Sequence, residues 1–171
     1  MAKVAQRQVL ATITPSTTGQ TSFLGSSAAK VNPPKFEIAN SPFQFAQVSG
    51  GEITASVEKI YEGGKSRPTV LCAPAEIGDI TVTAHYDDDQ AVGGLQSAIR
   101  TVRQFVGVGF YDVTIQTYNC GLSDKKNDRL YKNALLVGLT EPDGDSSSGA
   151  PTTFALTFSI SDVSVPTEVV Q

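Results

Sequence analysis

The chain has no tryptophan, one histidine, one methionine and two cysteines among 171 residues. A metal centre of imidazole and thiolate, or an active site built on a histidine base, has almost nothing to draw on. Cys72 and Cys120 stand 48 positions apart with no Cys-x-x-Cys pair, so neither a zinc motif nor a thioredoxin-like motif is present. Both are read as buried thiols acting as small hydrophobes, and their spacing alone does not decide whether they pair. No apolar run approaches the ~20 residues that a membrane-spanning helix needs. The opening Met1–Leu10 lacks the apolar centre of a signal peptide. The expectation is a soluble protein made in a cytosol, with no membrane partner. With 40% apolar and 18% charged residues and a mean hydropathy of −0.07, the chain falls outside both the disordered and the membrane classes. A net charge of −4 and a pI near 4.9 argue against a surface built to grip DNA.

Enzyme chemistry finds no foothold. His85 lies in Thr83-Ala84-His85-Tyr86-Asp87-Asp88-Asp89 and has no second histidine to work with. The three aspartates fit a turn and a helix start better than a metal site. Neither they nor the Asp143 stretch has the EF-hand spacing, because the positions that require Gly and Glu are Val92 and Ala98 in one and Ser148 and Phe154 in the other. Gly50-Gly51, Gly63-Gly64 and Gly93-Gly94 are not followed by the Lys-Ser or Lys-Thr of a phosphate loop. The serines have no histidine partner for a triad. No catalytic residue, metal or cofactor is expected.

The patterning that is present is β. Residues 1–35 are rich in Ser, Thr, Ala, Gly and Gln, and Thr12-Ile13-Thr14-Pro15-Ser16-Thr17-Thr18-Gly19 punctuates them as a loop. This segment holds Lys3, Arg7, Lys30 and Lys35 and no acid, so it carries +4 and the remainder −8. It is read as an extended basic arm whose Lys3 and Arg7 dock on a neighbour, the alternative being a terminus without a role. Residues 36–171 are read as a single β-rich domain. Phe43–Val48 begins as an alternating strand, and Ser49-Gly50-Gly51 is turn chemistry. Ile53, Ala55 and Val57 share one face of a half-buried strand. Glu62–Pro68 is a loop, and Thr69–Ala73 is a short apolar strand. Ile80, Val82, Ala84 and Tyr86 form one face of the next strand. Leu95, Ala98, Ile99, Val102, Phe105 and Val106 then recur at helical spacing, with Gly107 and Gly109 as the stop. Strands follow over 112–118, 130–139 and 153–160, with a polar connection at 119–128 and a loop at 141–149. Seven or eight strands and one helix result.

Charge is unevenly placed. From Pro68 through Ile99 there is no Lys or Arg, while Glu76, Asp79, Asp87, Asp88 and Asp89 form an acidic surface. A basic segment at one end and an acidic surface further on suit head-to-tail self-association.

Phe45-Ala46-Gln47-Val48-Ser49-Gly50-Gly51-Glu52, then Ser56-Val57-Glu58-Lys59-Ile60-Tyr61-Glu62-Gly63-Gly64-Lys65, then Asp79-Ile80-Thr81-Val82-Thr83 before a helix, form an ordered series of motifs. In this order and spacing Phe43–Asp87 resembles the tail tube proteins of tailed bacteriophages, particularly those of contractile tails. Three departures leave the branch open between contractile tail, non-contractile tail and a related injection device. They are the long basic lead, Ala73-Pro74-Ala75-Glu76 in place of a Leu-Pro-Gly type of turn, and the tail of strands after the helix.

The resemblance implies an antiparallel β-sandwich or part-barrel with one flanking helix, completed into a β-barrel tube on oligomerisation. It implies homo-hexameric rings stacked into a conduit for DNA delivery, with Glu62, Gly63, Gly64, Lys65 and Arg67 as the contact loop between rings. The implied partners are other copies of the chain, a tape-measure protein and DNA held in the lumen without sequence-specific binding. Sheath, tail terminator and baseplate proteins are further partners that it allows. The implied location is the virion tail, assembled in the host cytoplasm. An acidic or neutral lumen passes DNA by repulsion, which fits the net charge. The rival reading is a β-sandwich binding module, for capsid decoration or carbohydrate. The lack of Trp and the core-facing positions of most Phe and Tyr speak against sugar stacking.

Overall fold

A computed structural model of the chain describes residues 9–16, 33–38, 41–85, 95–118, 125–142, 152–161 and 163–164. The strands before the helix are β1 (Val9–Pro15), β2 (Glu37–Ile38), β3 (Ser41–Pro42), β4 (Gln44–Phe45), β5 (Gln47–Gly50), β6 (Ile53–Thr54), β7 (Glu58–Ile60), β8 (Thr69–Leu71), β9 (Glu76–Ile77) and β10 (Ile80–His85). Helix α1 (Leu95–Val102) precedes β11 (Phe110–Tyr118), β12 (Lys125–Thr140), β13 (Thr153–Ser159) and β14 (Val163–Ser164). Among the described residues the protein is mainly β, with one large antiparallel sheet and a single α-helix.

That sheet has eight strands in the order β4-β1-β11-β12-β13-β10-β5, with β14 added against β12. Its two ends, β4 and β5, are consecutive in the chain and separated only by Ala46. Gln44–Phe45 pairs with β1 and Gln47–Gly50 with β10, so one short run bridges the two ends and the sheet curls into a part-barrel. The strand expected over Phe43–Val48 is thus two strands that change partner at Ala46.

The core follows from alternation. Ile80, Val82 and Ala84 on β10, Tyr111, Val113 and Ile115 on β11, and Phe154, Leu156 and Phe158 on β13 all point inward and are buried. A strand slipped by one residue would turn this whole set outward, so burial fixes the register. Phe45 packs edge-on against Phe43 (centroids 4.9 Å), Phe154 (5.6 Å) and Phe36 (6.1 Å), and Tyr111 likewise meets Phe158 (5.7 Å). Burial pushes the Tyr111 hydroxyl well above the ordinary phenol range, and it donates a long hydrogen bond (3.4 Å) to the Pro34 carbonyl.

Val9–Pro15, expected within the basic N-terminal segment and partly in a loop, is a strand inside the sheet. It pairs along its whole length with β11 and at Ala11 and Thr12 with β4. Ala11 and Ile13 are buried on its inner face, and Pro15 ends it, where a missing N–H costs least. Just beyond, fully buried Ser16 donates from its backbone N–H to the Phe110 carbonyl (3.0 Å) and from its hydroxyl to Asn133 Oδ1. Asn133 has φ 53° at a bulge between β11 and β12, and its N–H donates to Asp112 Oδ1 (3.0 Å). This small network closes the bulge's polar groups inside the fold.

The helix is shorter than its apolar period. α1 buries Ala98, Ile99 and Val102, and a 3-10 turn at Arg103–Phe105 follows. Val106, expected on the helix stripe, is extended (φ −62°, ψ 125°) and exposed. Gly107 then takes φ 85° and donates its N–H to the Leu136 carbonyl (2.7 Å), which ties the helix exit to β12. Lys3, Arg7, Asp87, Asp88, Asp89, Tyr86 and Cys120 lie outside the described residues.

Candidate assembly arm

Between β5 and β10 the chain leaves the body and returns as a two-stranded ribbon, and almost nothing in it is buried. Residues 52–67 are all exposed, and up to Asp79 only Pro68, Ala73 and Ile77 are even half-buried. The half-buried strand expected at Ile53–Val57 is therefore corrected. Only Ile53–Thr54 is strand there, and Ile53 (65%) and Val57 (49%) face outward. Cys72, expected in the core, is exposed on the same ribbon. Alternation marks a strand with one covered face but does not say which molecule covers it.

The root of the arm is built on backbone. Gly51 donates its N–H to the Asp79 carbonyl (3.2 Å), and Gly78 donates to the Glu52 carbonyl (2.8 Å). Gly50 has φ 90°, and a Cβ there would sit 1.9 Å from the Asp79 carbonyl oxygen. Only glycine fits a left-handed corner pressed that closely against another backbone. The root ladder pairs β6 with β9 as Ile53↔Ile77 and Thr54↔Glu76. The outer ladder pairs β7 with β8 as Glu58↔Leu71, Lys59↔Val70 and Ile60↔Thr69.

The tip is the expected loop. Lys65 donates its backbone N–H to the Glu62 carbonyl (3.1 Å), its ammonium pairs with the Glu62 carboxylate, and Gly64 takes φ 87°. All of Glu62, Gly63, Gly64, Lys65 and Arg67 are exposed. Exposed pairs of this kind stabilise by about 0–1 kcal/mol, so the Glu62–Lys65 pair shapes the turn more than it holds the fold. Of the expected acidic surface, Glu76 and Asp79 are exposed at the arm's root. Sequence reasoning brought out the charged tip but missed the apolar ribbon behind it. Its signal is the run Thr69-Val70-Leu71-Cys72-Ala73, too apolar for a strand with one wet face.

Nine large hydrophobic residues are exposed among the described residues, and six of them (Ile53, Val57, Ile60, Tyr61, Val70 and Leu71) are on this arm. The other three, Val106, Val108 and Val137, lie where the helix exit meets β12. Beside them Arg103 Nε donates to Glu141 Oε1 (2.7 Å). Among the described residues no helix is long and apolar enough to cross a membrane, and no group of three or more His, Cys, Asp or Glu gathers to hold a metal.

No family model and no curated protein matches the sequence. Solved structures match its fold. A chain of the cryo-EM structure of the anti-feeding prophage baseplate, 6-fold symmetrised, aligns over 99% of both chains with TM-score 0.68 and 17% identity. The chain has a fold found in the anti-feeding prophage and in an extracellular contractile injection system. A chain of the anti-feeding prophage tube terminating cap gives TM-score 0.66 at 12% identity, over 97% of this chain and 92% of that one. A chain of the PVC sheath–tube complex of an extracellular contractile injection system, in the extended state, gives 0.64 at 13%, over 96% and 91%. At this identity the likeness is one of fold. It agrees with the resemblance of Phe43–Asp87 to tail tube proteins.

Proposed function

We propose that the chain is a structural subunit of a tail-type tube, and that its work is ordered self-assembly without catalysis. The observation that carries this reading is the arm: six large apolar residues held in water by a domain that has a fold of contractile injection system assemblies. A soluble monomer gains nothing from such a ribbon, whereas a subunit whose neighbours cover it does. In this reading subunits close into six-membered rings and rings stack into a hollow conduit. Glu62, Gly63, Gly64, Lys65 and Arg67 at the tip contact the next ring, and Lys3 and Arg7 dock on an adjacent subunit's acidic surface. The lumen passes DNA and a tape-measure protein without gripping either, and sheath, terminator and baseplate proteins meet the outside and the ends. The assembled form belongs to a virion tail built in the host cytoplasm.

The test is negative-stain electron microscopy of the purified full chain across a concentration series. Rings or tubes are the expected result. A persistent monomer at high concentration overturns the proposal and favours a binding module. Glu62→Lys and Lys65→Glu, singly and paired, test the tip: each single change is expected to impair stacking, and unchanged stacking in both removes the tip from the contact.

A further inference from the structure

The two ladders of the arm are out of step by one residue. Extended outward, the root pairing of Ile53 with Ile77 and Thr54 with Glu76 would set Glu58 opposite Cys72, but the outer ladder sets Glu58 opposite Leu71. Three residues (55–57) on one strand thus face four (72–75) on the other, a bulge of one residue. Its cause lies in the bonding phase of the root. Gly78 donates its N–H to the Glu52 carbonyl, and in an antiparallel ladder the bonded positions recur at every second pair. Beyond Thr54 and Glu76, the next bonded position in that register is Ser56 opposite Pro74. Proline has no N–H to give the Ser56 carbonyl, and its ring fills the place where the donor would stand. The root ladder therefore stops there, and pairing resumes one residue out of step.

We propose that Pro74 is the register lock of the arm, the residue that decides which side chains each side of the ribbon presents. Burial does not make that choice, because neither side of the outer ladder is buried. The tip turn from Glu62 to Lys65 does not make it either, since it lies within the connecting loop in both registers. The choice has a large effect, because a shift of one residue exchanges the sides. In the observed ladder Ile60 and Leu71 project from one side and Val70 from the other, and alternation puts Tyr61 with Val70. Carried straight through, the root register would gather Ile53, Val57, Tyr61, Leu71 and Ile77 on a single side, with Thr54, Ser56, Glu58 and Glu76 among the residues opposite. That side would be a long apolar strip with little to tell one apolar partner from another. Pro74 keeps these residues divided between two sides. The lock is a property of the single chain and does not depend on the tube reading.

The experiment reads the register in the free chain. All cysteine variants carry Cys120→Ser, so that only thiols on the arm react. Glu58→Cys with Leu71→Cys and Cys72→Ser gives a first pair, directly opposed in the observed register. Glu58→Cys beside the native Cys72 gives a second pair, directly opposed only in the straight-through register. Directly opposed Cα atoms are about 4.5–5.5 Å apart, within disulfide reach, whereas a shift of one residue turns one thiol to the far side. With Pro74 in place, brief oxidation of the dilute chain is expected to close the first pair as an intrachain disulfide and to leave both thiols of the second pair free. Pro74→Val and Pro74→Ala, which restore the N–H, are each expected to reverse the two results. Unchanged pairing in both overturns the lock, and so does closure of the second pair while Pro74 is present. Microscopy supplies a second measurement, and its expectation rests on the tube reading. Pro74→Val in the otherwise unsubstituted chain is expected to lose regular rings or tubes while keeping the parent's melting midpoint. Regular particles alongside a reversed register overturn the claim that the register decides what the arm presents. A parent chain that never assembles overturns the tube reading, and the disulfide result still decides the lock.

Discussion

The body and the arm are made of the same material, short antiparallel strands with Ile, Val, Leu and aromatic residues, and they use it in opposite ways. In the body, Phe45, Phe154 and Phe158 are buried, and the outward positions of their strands are Gln44 on β4 and Thr153, Ala155, Thr157 and Ser159 on β13. In the arm, Ile60, Val70 and Leu71 have strand partners on one edge and no cover on either side. The difference teaches that backbone pairing and core formation are separable. A ladder can satisfy its N–H and C=O groups while its side chains wait for surfaces that another molecule supplies.

The strongest way to break the comparison is to truncate one aromatic in each region. Phe154→Ala leaves a cavity among Phe43 and Phe45 and is expected to cost about 3–5 kcal/mol in urea unfolding. Tyr61→Ser on the arm is expected to move unfolding by no more than about 0.5 kcal/mol and yet to suppress ring or tube formation. Equal stability losses would mean that the arm belongs to the folding unit after all.

A smaller effect sharpens where the two regions join. Gly50→Ala at the root meets the Asp79 carbonyl in a left-handed conformation and is expected to cost roughly 1–3 kcal/mol. Gly64→Ala at the tip has the same sign of φ with nothing within 4 Å, so only the backbone preference is lost, about 1 kcal/mol. Thermal melts of the two variants give the ranking, and a tip change that costs more than the root change contradicts this account.

The last effect belongs to the body and appears only in alkali. Tyr111 holds its proton more tightly folded than unfolded. Its contribution is therefore fully present below about pH 10, the unfolded value, and is lost as pH rises from there towards the folded value. The limiting slope is about 1.4 kcal/mol per pH unit. Tyr111→Phe is expected to flatten that decline in urea midpoints, and an unchanged decline assigns it to other groups.

What could be read from residues alone divides along the same line. Where one face is buried within the molecule, as in β10, β11 and β13, period-two alternation identifies both strand and inner face, because burial and pattern have the same cause. Ile53, Ala55 and Val57 carry the same pattern and are exposed, so the pattern there does not arise from burial within the molecule. The N-terminal strand was hidden for another reason. Thr12, Thr14 and Pro15 are turn-forming types, and the inner face offers only Ala11 and Ile13 as fully buried anchors. Its place is dictated by pairing with Phe110–Tyr118, about a hundred residues away in the chain. The helix was legible but overextended, because Val106 continues an apolar spacing that Gly107 ends.

Gly50 also has a consequence for any object made by repetition. The corner at which the arm departs is set by one main chain pressed on another, so the departure angle does not depend on the fit of flexible side chains and is reproduced from copy to copy. In a long polymer, small deviations at each joint accumulate into a bend. A rigid corner at every joint is the simplest means of keeping such a polymer straight.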